Sequence, residues 1–415
     1  MRRARWALGA ITALAGAALA AGCGAQAAAQ NHVAGRRLTV YASLPFEGSS
    51  ALTARAVMGG VELALGAAHR RVGHYRIDLR ILNDATVQSR GWDPGQTSAN
   101  ARRAAGDPSA IGYIGEINSG ASAVSIPLLN RAGIPQISPT STAVGLTANG
   151  PGAAPGEPEK YYPTQRRTFA RVVPDDAVQA AVQLRAQVGA GCRRAIVVDD
   201  GDIDGRDAAL SFASVARGSA LHVIATEQFA PGANDRAAAA SVAASRADCV
   251  LITGLDDRRA ARLSERIAAA APGVMLFGWS TLAAPAYTSP ANGGIAAWLA
   301  PQLVLTDAGL AASQYPRSGR RFETDYARRY GDPPPSAIFG YEAMSLLLDA
   351  IARATSGGRL SVDRSTVLAA LLHTRDRHSV LGTYSIDRDG DTTLDRYGVY
   401  RVRNGRLVFL KAMSR

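Results

Sequence analysis

The stretch AIGYIGEINSGASAVSIPLLNRAGIPQISPTST, residues 110–142, places a helical segment between two short apolar runs. The runs AIGYIG (110–115) and GIPQI (133–137) have the length and composition of buried strands. A strand, a helix and a second strand in this order predict two parallel neighbours in a sheet that is covered on both faces.

The same alternation continues in both directions along the chain. Upstream, LTVYA (38–42) and YRIDLRIL (75–82) are strand candidates on either side of a helical stretch at 50–69. Downstream, the strand candidates are RRAIVVDD (193–200), LHVIATEQF (221–229), DCVLITG (248–254), GVMLFG (273–278), APQLVLTD (300–307), GTYSI (382–386), YGVYRV (397–402) and RLVFL (406–410). A Gly- and Pro-rich segment at 147–165, predicted as an exposed loop, separates the two series. The sequence therefore predicts an α/β protein of two doubly wound parallel-sheet lobes.

Length and charge agree with this interpretation and limit the partners. A chain of 415 residues suits two globular units. The formal charge of +12 comes almost wholly from arginine, since Lys160 and Lys411 are the only lysines. The basic residues are scattered and no patch of interleaved aromatic residues accompanies them, so we expect no nucleic-acid partner.

The N-terminus predicts export and a lipid anchor. MRRARW is a cationic segment, ALGAITALAGAALA is an apolar segment too short for a comfortable membrane span, and LAAGC places Cys23 after small residues. We predict a lipoprotein signal peptide at 1–22, lipidation of Cys23, a flexible tether at 23–36, and anchoring to the outer face of the cell membrane. The alternative is plain secretion with Cys23 removed or unmodified.

Two cysteines remain in the exported part, Cys192 and Cys249. Outside the cytoplasm an even number of cysteines suggests a disulfide. Each of the two stands just before a β-type run, so in parallel neighbouring strands both would lie at the same edge of the sheet. We predict that they form a disulfide, the alternative being two small buried thiols.

Polar residues follow the two strands of the opening stretch. Ser138, Thr140, Ser141 and Thr142 come at the end of the second strand, and INSGAS (117–122) comes at the end of the first. In doubly wound sheets, ligands bind beyond the carboxyl ends of the strands, where free N–H groups favour anions. We therefore predict a site for a carboxylate or another small anion, although these hydroxyls could merely cap helices.

Several segments in a fixed order resemble the branched-chain amino-acid (Leu/Ile/Val) binding proteins, the substrate-binding receptors of ABC importers. They are SLPFEGSSALTARAVMGGVELAL, GYIGEINSGASAVSIPLLNRAGIPQISPTSTAVGLT, RVVPDDAVQAAVQL, FETDYARRYGDPPPSAIFGYEAMSLLLDAI and GTYSIDRDGD with YGVYRVRNGRLVFL. The resemblance implies the type I periplasmic-binding fold, in which three hinge crossovers join two lobes that close on a ligand. It implies an N-terminal lobe of residues 37–170 plus 304–382 and a C-terminal lobe of residues 171–303 plus 383–415.

The resemblance also implies roles for residues of the N-terminal lobe. Ser119, with Gly120 beside it, matches a serine that binds the ligand carboxylate. Thr140, Ser141 and Thr142 match a segment that contacts the amino-acid head group. The implied protein is a monomer that hands a small polar ligand, an amino acid or a derivative, to an ABC permease, without a cofactor.

The C-terminal lobe departs from the family pattern. Asp204 stands where many members have an aromatic residue, and Leu255 and Asp256 replace a common aromatic pair. Ser280, beside Trp279, stands where branched-chain receptors present a glutamate to the ligand ammonium. The resemblance therefore leaves the ligand open, with Asp204 or Asp256 as the source of the missing negative charge.

Other functions find less support in the sequence. The acidic segments 199–204 and 387–395 lack the EF-hand pattern, so we expect a cleft rim and a tight turn and no metal site. No G-x-S-x-G, H-E-x-x-H or P-loop motif occurs, and we expect no enzyme. The alternatives are a ligand-sensing module for a signalling partner, built on the same fold, and a decayed receptor.

Overall fold

The structure is a computed structural model, and it describes residues 31–89, 91–230, 232–254, 257–356 and 361–415. The predicted signal peptide, Cys23 and the first part of the tether lie outside the described residues, as do Leu255 and Asp256. Within the described ranges, no helix is both long and apolar enough to cross a membrane.

Strands and helices alternate along most of the chain. The strands are β1 (His32–Val33), β2 (Arg37–Leu44), β3 (Arg71–Val72), β4 (Tyr75–Asn83), β5 (Ala85–Thr86), β6 (Gly91–Trp92), β7 (Ala110–Ile114), β8 (Gln136–Ser138), β9 (Phe169–Arg171), β10 (Arg194–Asp199), β11 (His222–Gln228), β12 (Cys249–Ile252), β13 (Met275–Gly278), β14 (Leu303–Asp307), β15 (Val362–Asp363), β16 (Arg377–His378), β17 (Thr383–Tyr384), β18 (Arg396–Arg403) and β19 (Arg406–Ser414). The helices are α1 (Ala51–Ala67), α2 (Pro94–Ala105), α3 (Ser119–Arg131), α4 (Asp176–Gly189), α5 (Ile203–Ala216), α6 (Asp235–Ser245), α7 (Asp257–Ala270), α8 (Pro285–Thr288), α9 (Arg317–Tyr330), α10 (Ala337–Ala354) and α11 (Arg364–Leu372).

A six-stranded sheet in the order β3–β4–β2–β7–β8–β9 forms the centre of the first lobe. Its strands pair in parallel except β3, which is antiparallel to β4. Alternate residues of β2 face opposite sides: Val40 packs with α1 and α10, whereas Tyr41 packs with α2 and α3. Helices α1 and α10 approach closely at Gly60, which has no side chain. A Cβ at this position would lie 2.1 Å from the carbonyl oxygen of Ala337.

A seven-stranded sheet in the order β11–β10–β12–β13–β14–β18–β19 forms the centre of the second lobe. The first five strands are parallel, as predicted, whereas β18 and β19 are antiparallel additions at one edge. The hairpin between them turns at Asn404 and Gly405, whose φ angles of 51° and 73° match the predicted turn.

The chain passes between the lobes three times. It leaves the first sheet after β9 and enters α4, which packs on β14 and β18 of the second sheet. It returns after β14 to α9 and α10, which contact α1, and crosses again between β17 and β18. The predicted boundaries after residues 170, 303 and 382 are therefore a few residues too early. The first two would cut β9 and β14, and the third would separate β17 from β16, with which it pairs.

Cys192 and Cys249 are joined by a disulfide with a Cα–Cα distance of 5.9 Å. Ala195 of β10 pairs with Cys249 of β12, so the bridge ties two parallel neighbours together at the edge opposite to the cleft between the lobes. Both cysteines are buried.

Candidate functional site

The hydroxyl groups at the ends of β7 and β8 are turned inward and hold the backbone of the two strand ends together. Ser138 and Ser141 both donate from their Oγ atoms to the carbonyl oxygen of Glu116, at 2.6 and 3.1 Å. Thr140 donates to the carbonyl oxygen of Ile117 at 2.9 Å. These three hydroxyls, which were predicted to contact a ligand, therefore donate to carbonyl groups of the protein's own backbone.

Ser119 connects the start of α3 to the segment that follows β8. Its Oγ accepts hydrogen bonds from the backbone N–H groups of Thr142 and Ala143, both at 3.2 Å. The side chain is fully buried. The hydroxyl thus positions the loop, and the backbone N–H of Ser119, as the first residue of α3, is the group left to bind an anion.

A carboxylate from the second lobe accepts a hydrogen bond from that N–H group. Oδ1 of Asp204, in the first turn of α5, accepts from the backbone N–H of Ser119 at 2.8 Å. Burial raises the pKa of Asp204 to about 6, and the negative charge of Asp202 acts in the same direction, while the hydrogen bond from Ser119 opposes both. The structure therefore brings two predicted site residues together across the cleft, and it does so with the cleft closed.

A second contact between the lobes lies two turns further along α5. Ser211 donates to the carbonyl oxygen of Pro151 at 3.0 Å. Pro151 belongs to the segment 147–165, which was predicted as an exposed loop; its residues Glu157 and Tyr161 are instead buried. Positions 204 and 211 lie on one helical face, so this face of α5 rests on the first lobe.

Asp176 is a candidate site residue that the sequence analysis did not identify. It is the first residue of α4, only 1% exposed, and its N–H donates to the carbonyl oxygen of Thr142 at 2.9 Å. Its Oδ1 accepts from Nε1 of Trp279 at 3.1 Å. Its Oδ2 is buried without a hydrogen bond of normal geometry, although the Thr142 side chain is near enough to lower the pKa of the carboxyl group. An unsatisfied carboxylate oxygen beside residues 138–142, the predicted head-group loop, is suited to a cationic group.

The remaining predicted residues of the second lobe contact α4. Trp279, at the end of β13, is buried and directs its N–H to Asp176. Ser280 donates to Oε1 of Gln179 at 3.1 Å, one turn further along α4. Trp279 thus orients a candidate site carboxylate, while the Ser280 hydroxyl is engaged elsewhere.

Gly120 allows an aromatic side chain to cover the start of α3. A Cβ on Gly120 would lie 2.5 Å from the ring of Trp92, so no other residue fits without displacing that ring. Trp92 belongs to the short hairpin β5–β6, which follows β4. It is a further candidate that was missed, because a hairpin packed over another strand's end has no local sequence signature.

Two carboxyl groups are buried behind the head-group loop. Burial raises the pKa of Glu116 well above its ordinary value, and the charge of Asp84 adds to the effect. Burial also raises the pKa of Asp84, to about 6. The Oε1 of Glu116 also accepts from the hydroxyl of Tyr113 at 2.8 Å.

The acidic segments form turns. Asp199 accepts from the N–H of Gly201 at 2.7 Å, and Asp200 accepts from the N–H of Asp202 at 3.1 Å. In the second segment, Asp387 accepts from the N–H groups of Asp389 and Asp391, both at 2.9 Å, as expected for a tight turn.

Asp176 makes the stability of the ligand-free protein dependent on pH. Burial raises its pKa from 3.8 to about 7, although hydrogen bonds from Thr142 and Trp279 oppose the shift. Between these values the folded protein holds a proton that the unfolded chain has released, so rising pH favours unfolding. We measure the free energy of unfolding of Asp176→Asn and of the unmodified protein by chemical denaturation. From pH 5 to pH 8, we expect the stability of the variant relative to the unmodified protein to rise by at least about 1 kcal/mol. If the variant and the unmodified protein differed in unfolding free energy by the same amount at pH 5 and pH 8, the raised pKa of Asp176 would be contradicted.

Comparison with known proteins identifies relatives of the whole chain. The sequence model of a family described as "Periplasmic binding protein" matches residues 38–406. A comparison with curated proteins found no match.

Solved structures share the fold. A leucine binding protein from Thermotoga maritima has 22% sequence identity and a TM-score of 0.74, over 91% of this chain and 99% of that chain. A branched-chain amino acid transporter substrate binding protein from Streptococcus pneumoniae, in complex with isoleucine, has 17% identity and a TM-score of 0.75, over 91% and 100%. An ABC transporter solute binding protein from R. palustris, in complex with benzoate, has 19% identity and a TM-score of 0.73, over 91% and 96%.

Proposed function

Because the chain belongs to the periplasmic binding protein family, we propose that it is the substrate-binding protein of an ABC importer. It captures a small polar ligand, an amino acid or a derivative, between its two lobes and delivers it to a permease. It acts as a monomer outside the cytoplasm, anchored to the cell membrane through a lipid on Cys23, and it needs no cofactor and catalyses no reaction.

One observation carries this proposal: the backbone N–H of Ser119 holds a carboxylate in the cleft between the lobes, at 2.8 Å. The N–H groups at the start of a helix are unpaired within the helix and lie at the positive end of its dipole. The same position is open to the carboxylate of a ligand once Asp204 moves away. The two lobes then close on the ligand instead of on each other.

The second half of the head-group site is Asp176. Its Oδ2 lacks a hydrogen-bond partner, and it lies next to Thr142, whose N–H is held by Ser119. A ligand ammonium group would satisfy this oxygen and keep the carboxyl group ionised. Asp176 thereby replaces the glutamate that is absent at Ser280, and Asp204, Leu255, Asp256 and Trp279 are proposed to line the remaining wall.

The ligands bound in the similar structures differ, since they include isoleucine and benzoate. A thermal-shift screen of the twenty standard amino acids and a panel of aromatic acids therefore tests the proposal. A ligand at 100 times its dissociation constant stabilises the folded protein by about 2.7 kcal/mol. Failure of every compound to stabilise the protein would argue against a receptor for small polar ligands.

The double variant Ser119→Ala with Thr142→Ala tests the head-group assignment. It removes the Oγ that holds the N–H groups of Thr142 and Ala143, together with the Thr142 hydroxyl. We expect the affinity for the best compound of the screen to fall by about tenfold or more, measured by isothermal titration calorimetry, since hydrogen bonds to charged groups contribute about 1.5–3 kcal/mol.

Ser125→Ala is the matched control. Ser125 is equally buried in the same helix, but its Oγ accepts from Gln136 at 2.8 Å, away from the start of α3. This variant should lose stability without a comparable loss of affinity. Equal affinities in the double variant and the unmodified protein would exclude the head-group assignment.

A further inference from the structure

Asp204 stands in the closed cleft as the protein's own substitute for a ligand carboxylate. It reaches from α5 of the second lobe to the N–H of Ser119 in the first lobe, 85 residues away in sequence. Both the unpaired N–H and the helix dipole favour a negative charge at this point. Any ligand whose carboxylate binds there must first displace the carboxylate of Asp204.

The surroundings of Asp204 determine what this displacement costs. Among the ion pairs between described residues, none involves Asp204; the nearest cation along α5, Arg206, pairs with Asp207 at 3.1 Å. Acidic groups interact with it: burial raises the pKa of Asp200 and of Asp176, and the charge of Asp204 adds to the effect on both. Asp202 adds likewise to the shift of Asp200. Among the described residues, a displaced Asp204 is thus a partly buried carboxylate without a cationic partner, which is unfavourable.

A ligand can remove this cost only by bringing a cation with it. In an α-amino acid, a single carbon separates the ammonium group from the carboxylate. With the carboxylate at Ser119, the ammonium group would lie in the part of the cleft to which Asp204 and Asp176 both contribute. A simple carboxylic acid displaces Asp204 in the same way but leaves it unpaired.

We infer that Asp204 is a specificity-determining residue, which competes with the ligand for the N–H of Ser119 and so restricts the cleft to ligands that carry a cationic group beside their carboxylate. This inference rests on the proposed function and deepens it. According to this inference, the chain differs in ligand preference from the R. palustris protein that was solved with benzoate, because benzoate has no cationic group.

The test compares each standard amino acid with the acid in which hydrogen replaces the α-ammonium group, for example L-leucine with 4-methylpentanoate and L-phenylalanine with 3-phenylpropanoate. Affinities are measured by isothermal titration calorimetry on the unmodified protein and on Asp204→Asn. Asparagine keeps an oxygen that can accept from Ser119 and removes the charge. The closed arrangement is thereby preserved while the penalty for an unpaired carboxylate disappears.

We expect the unmodified protein to bind its best amino acid at least about tenfold more tightly than the corresponding acid. In Asp204→Asn this ratio should fall below about threefold, mainly because the acid binds more tightly. Asp204→Ala, which lacks both charge and acceptor, should bind the acid at least as well as Asp204→Asn does. Melting temperatures of both variants establish that they are folded.

Asp202→Asn is the matched control, because it removes an equal charge from the same turn of the chain at an exposed position, while the N–H of Ser119 donates to Asp204 and not to Asp202. Asparagine also remains a good N-cap for α5, where Asp202 now accepts from the N–H of Ile203. The ratio of affinities in this variant should equal that of the unmodified protein.

The outcomes separate this inference from the proposed function. A ratio that stays the same in Asp204→Asn, or an unmodified protein that binds both members of a pair equally well, would overturn the role of Asp204 and leave the receptor function intact. If no amino acid binds the unmodified protein, the proposed function fails, and the inference fails with it.

Discussion

Replacement of Arg171 by methionine is expected to lower the free energy of unfolding by about 3–5 kcal/mol, because it breaks a buried ion pair and leaves its partner charge uncompensated. The guanidinium group is fully buried, and its Nε donates to Oδ1 of Asp391 at 2.6 Å. Its other nitrogens donate to the carbonyl oxygens of Ser141 and Ala143 and to Oγ1 of Thr147. Methionine has a similar length and can replace none of these hydrogen bonds.

The same variant should also weaken ligand binding. Arg171 ends β9 at the first crossover, and Asp391 lies in the third, between β17 and β18, so their pair joins two of the three connections between the lobes. Its bonds to the carbonyl groups of residues 141 and 143 brace the loop that carries the proposed head-group site. Loss of the ion pair should lower the denaturation midpoint in urea, and loss of the bonds to the loop should lower the affinity for ligand in the same preparation.

Arg167→Met is the control for this prediction. Arg167 lies on the same segment, but it is partly exposed and its distance to the carboxylate of Asp389 is 3.9 Å. A solvent-exposed ion pair of this kind contributes about 0–1 kcal/mol. If Arg171→Met were no more destabilising than Arg167→Met, the Arg171–Asp391 pair would have no special role at the crossovers.

Removal of the disulfide by the double substitution Cys192→Ala and Cys249→Ala should destabilise the protein by about 4 kcal/mol. The bridge closes a loop across a sequence separation of 57 residues, and the entropy lost by the unfolded chain grows with the length of such a loop. Alanine is chosen because both positions are buried and a serine hydroxyl would require a hydrogen-bond partner there. The measurement is the free energy of unfolding in guanidinium chloride.

The unmodified protein provides the comparison for this second prediction. Under reducing conditions that open the bridge, its stability should approach that of the double alanine variant. The pairing of β10 with β12 should persist in the variant, because four residue pairs of the two strands are in register and their side chains are buried. A loss of less than about 1 kcal/mol would indicate that the unfolded chain does not gain freedom when the bridge is removed.

Much of the architecture was predictable because it depends on local patterns. Short apolar runs became β7, β10 and β12 at the predicted positions, since a strand buried on both faces needs only such a run. The run predicted at 133–137 became a strand only from Gln136, and β8 continues to Ser138. The hairpin at Asn404 and Gly405 was predictable from two residues that tolerate positive φ. The crossover positions were less accurate, since the apolar pattern of β9 and β14 does not reveal at which residue each strand leaves its sheet.

The candidate site was predictable in its location and less so in its contacts. Ser119 and Thr142 lie close together because parallel strands bring their carboxyl ends to the same edge. Which atom of Ser119 is used was not predictable: the hydroxyl accepts from the loop, and the N–H meets Asp204. Asp176 was overlooked because, in sequence, it is one of two adjacent acidic residues at the start of a helix, the commonest place for a capping carboxylate.

The sequence by itself determined the α/β class, the two-lobe division and the edge of the first sheet at which Ser119 and Thr142 meet, because strand periodicity and turn residues act over short distances. Only the tertiary structure decided that Asp204 fills this position from the opposite lobe, that Asp176 keeps an oxygen without a partner, and that Arg171 joins two crossovers. These features depend on distances between residues that are 85 to 220 positions apart in the chain or on burial by another lobe. Such distances are set by how the lobes pack, which no local pattern records.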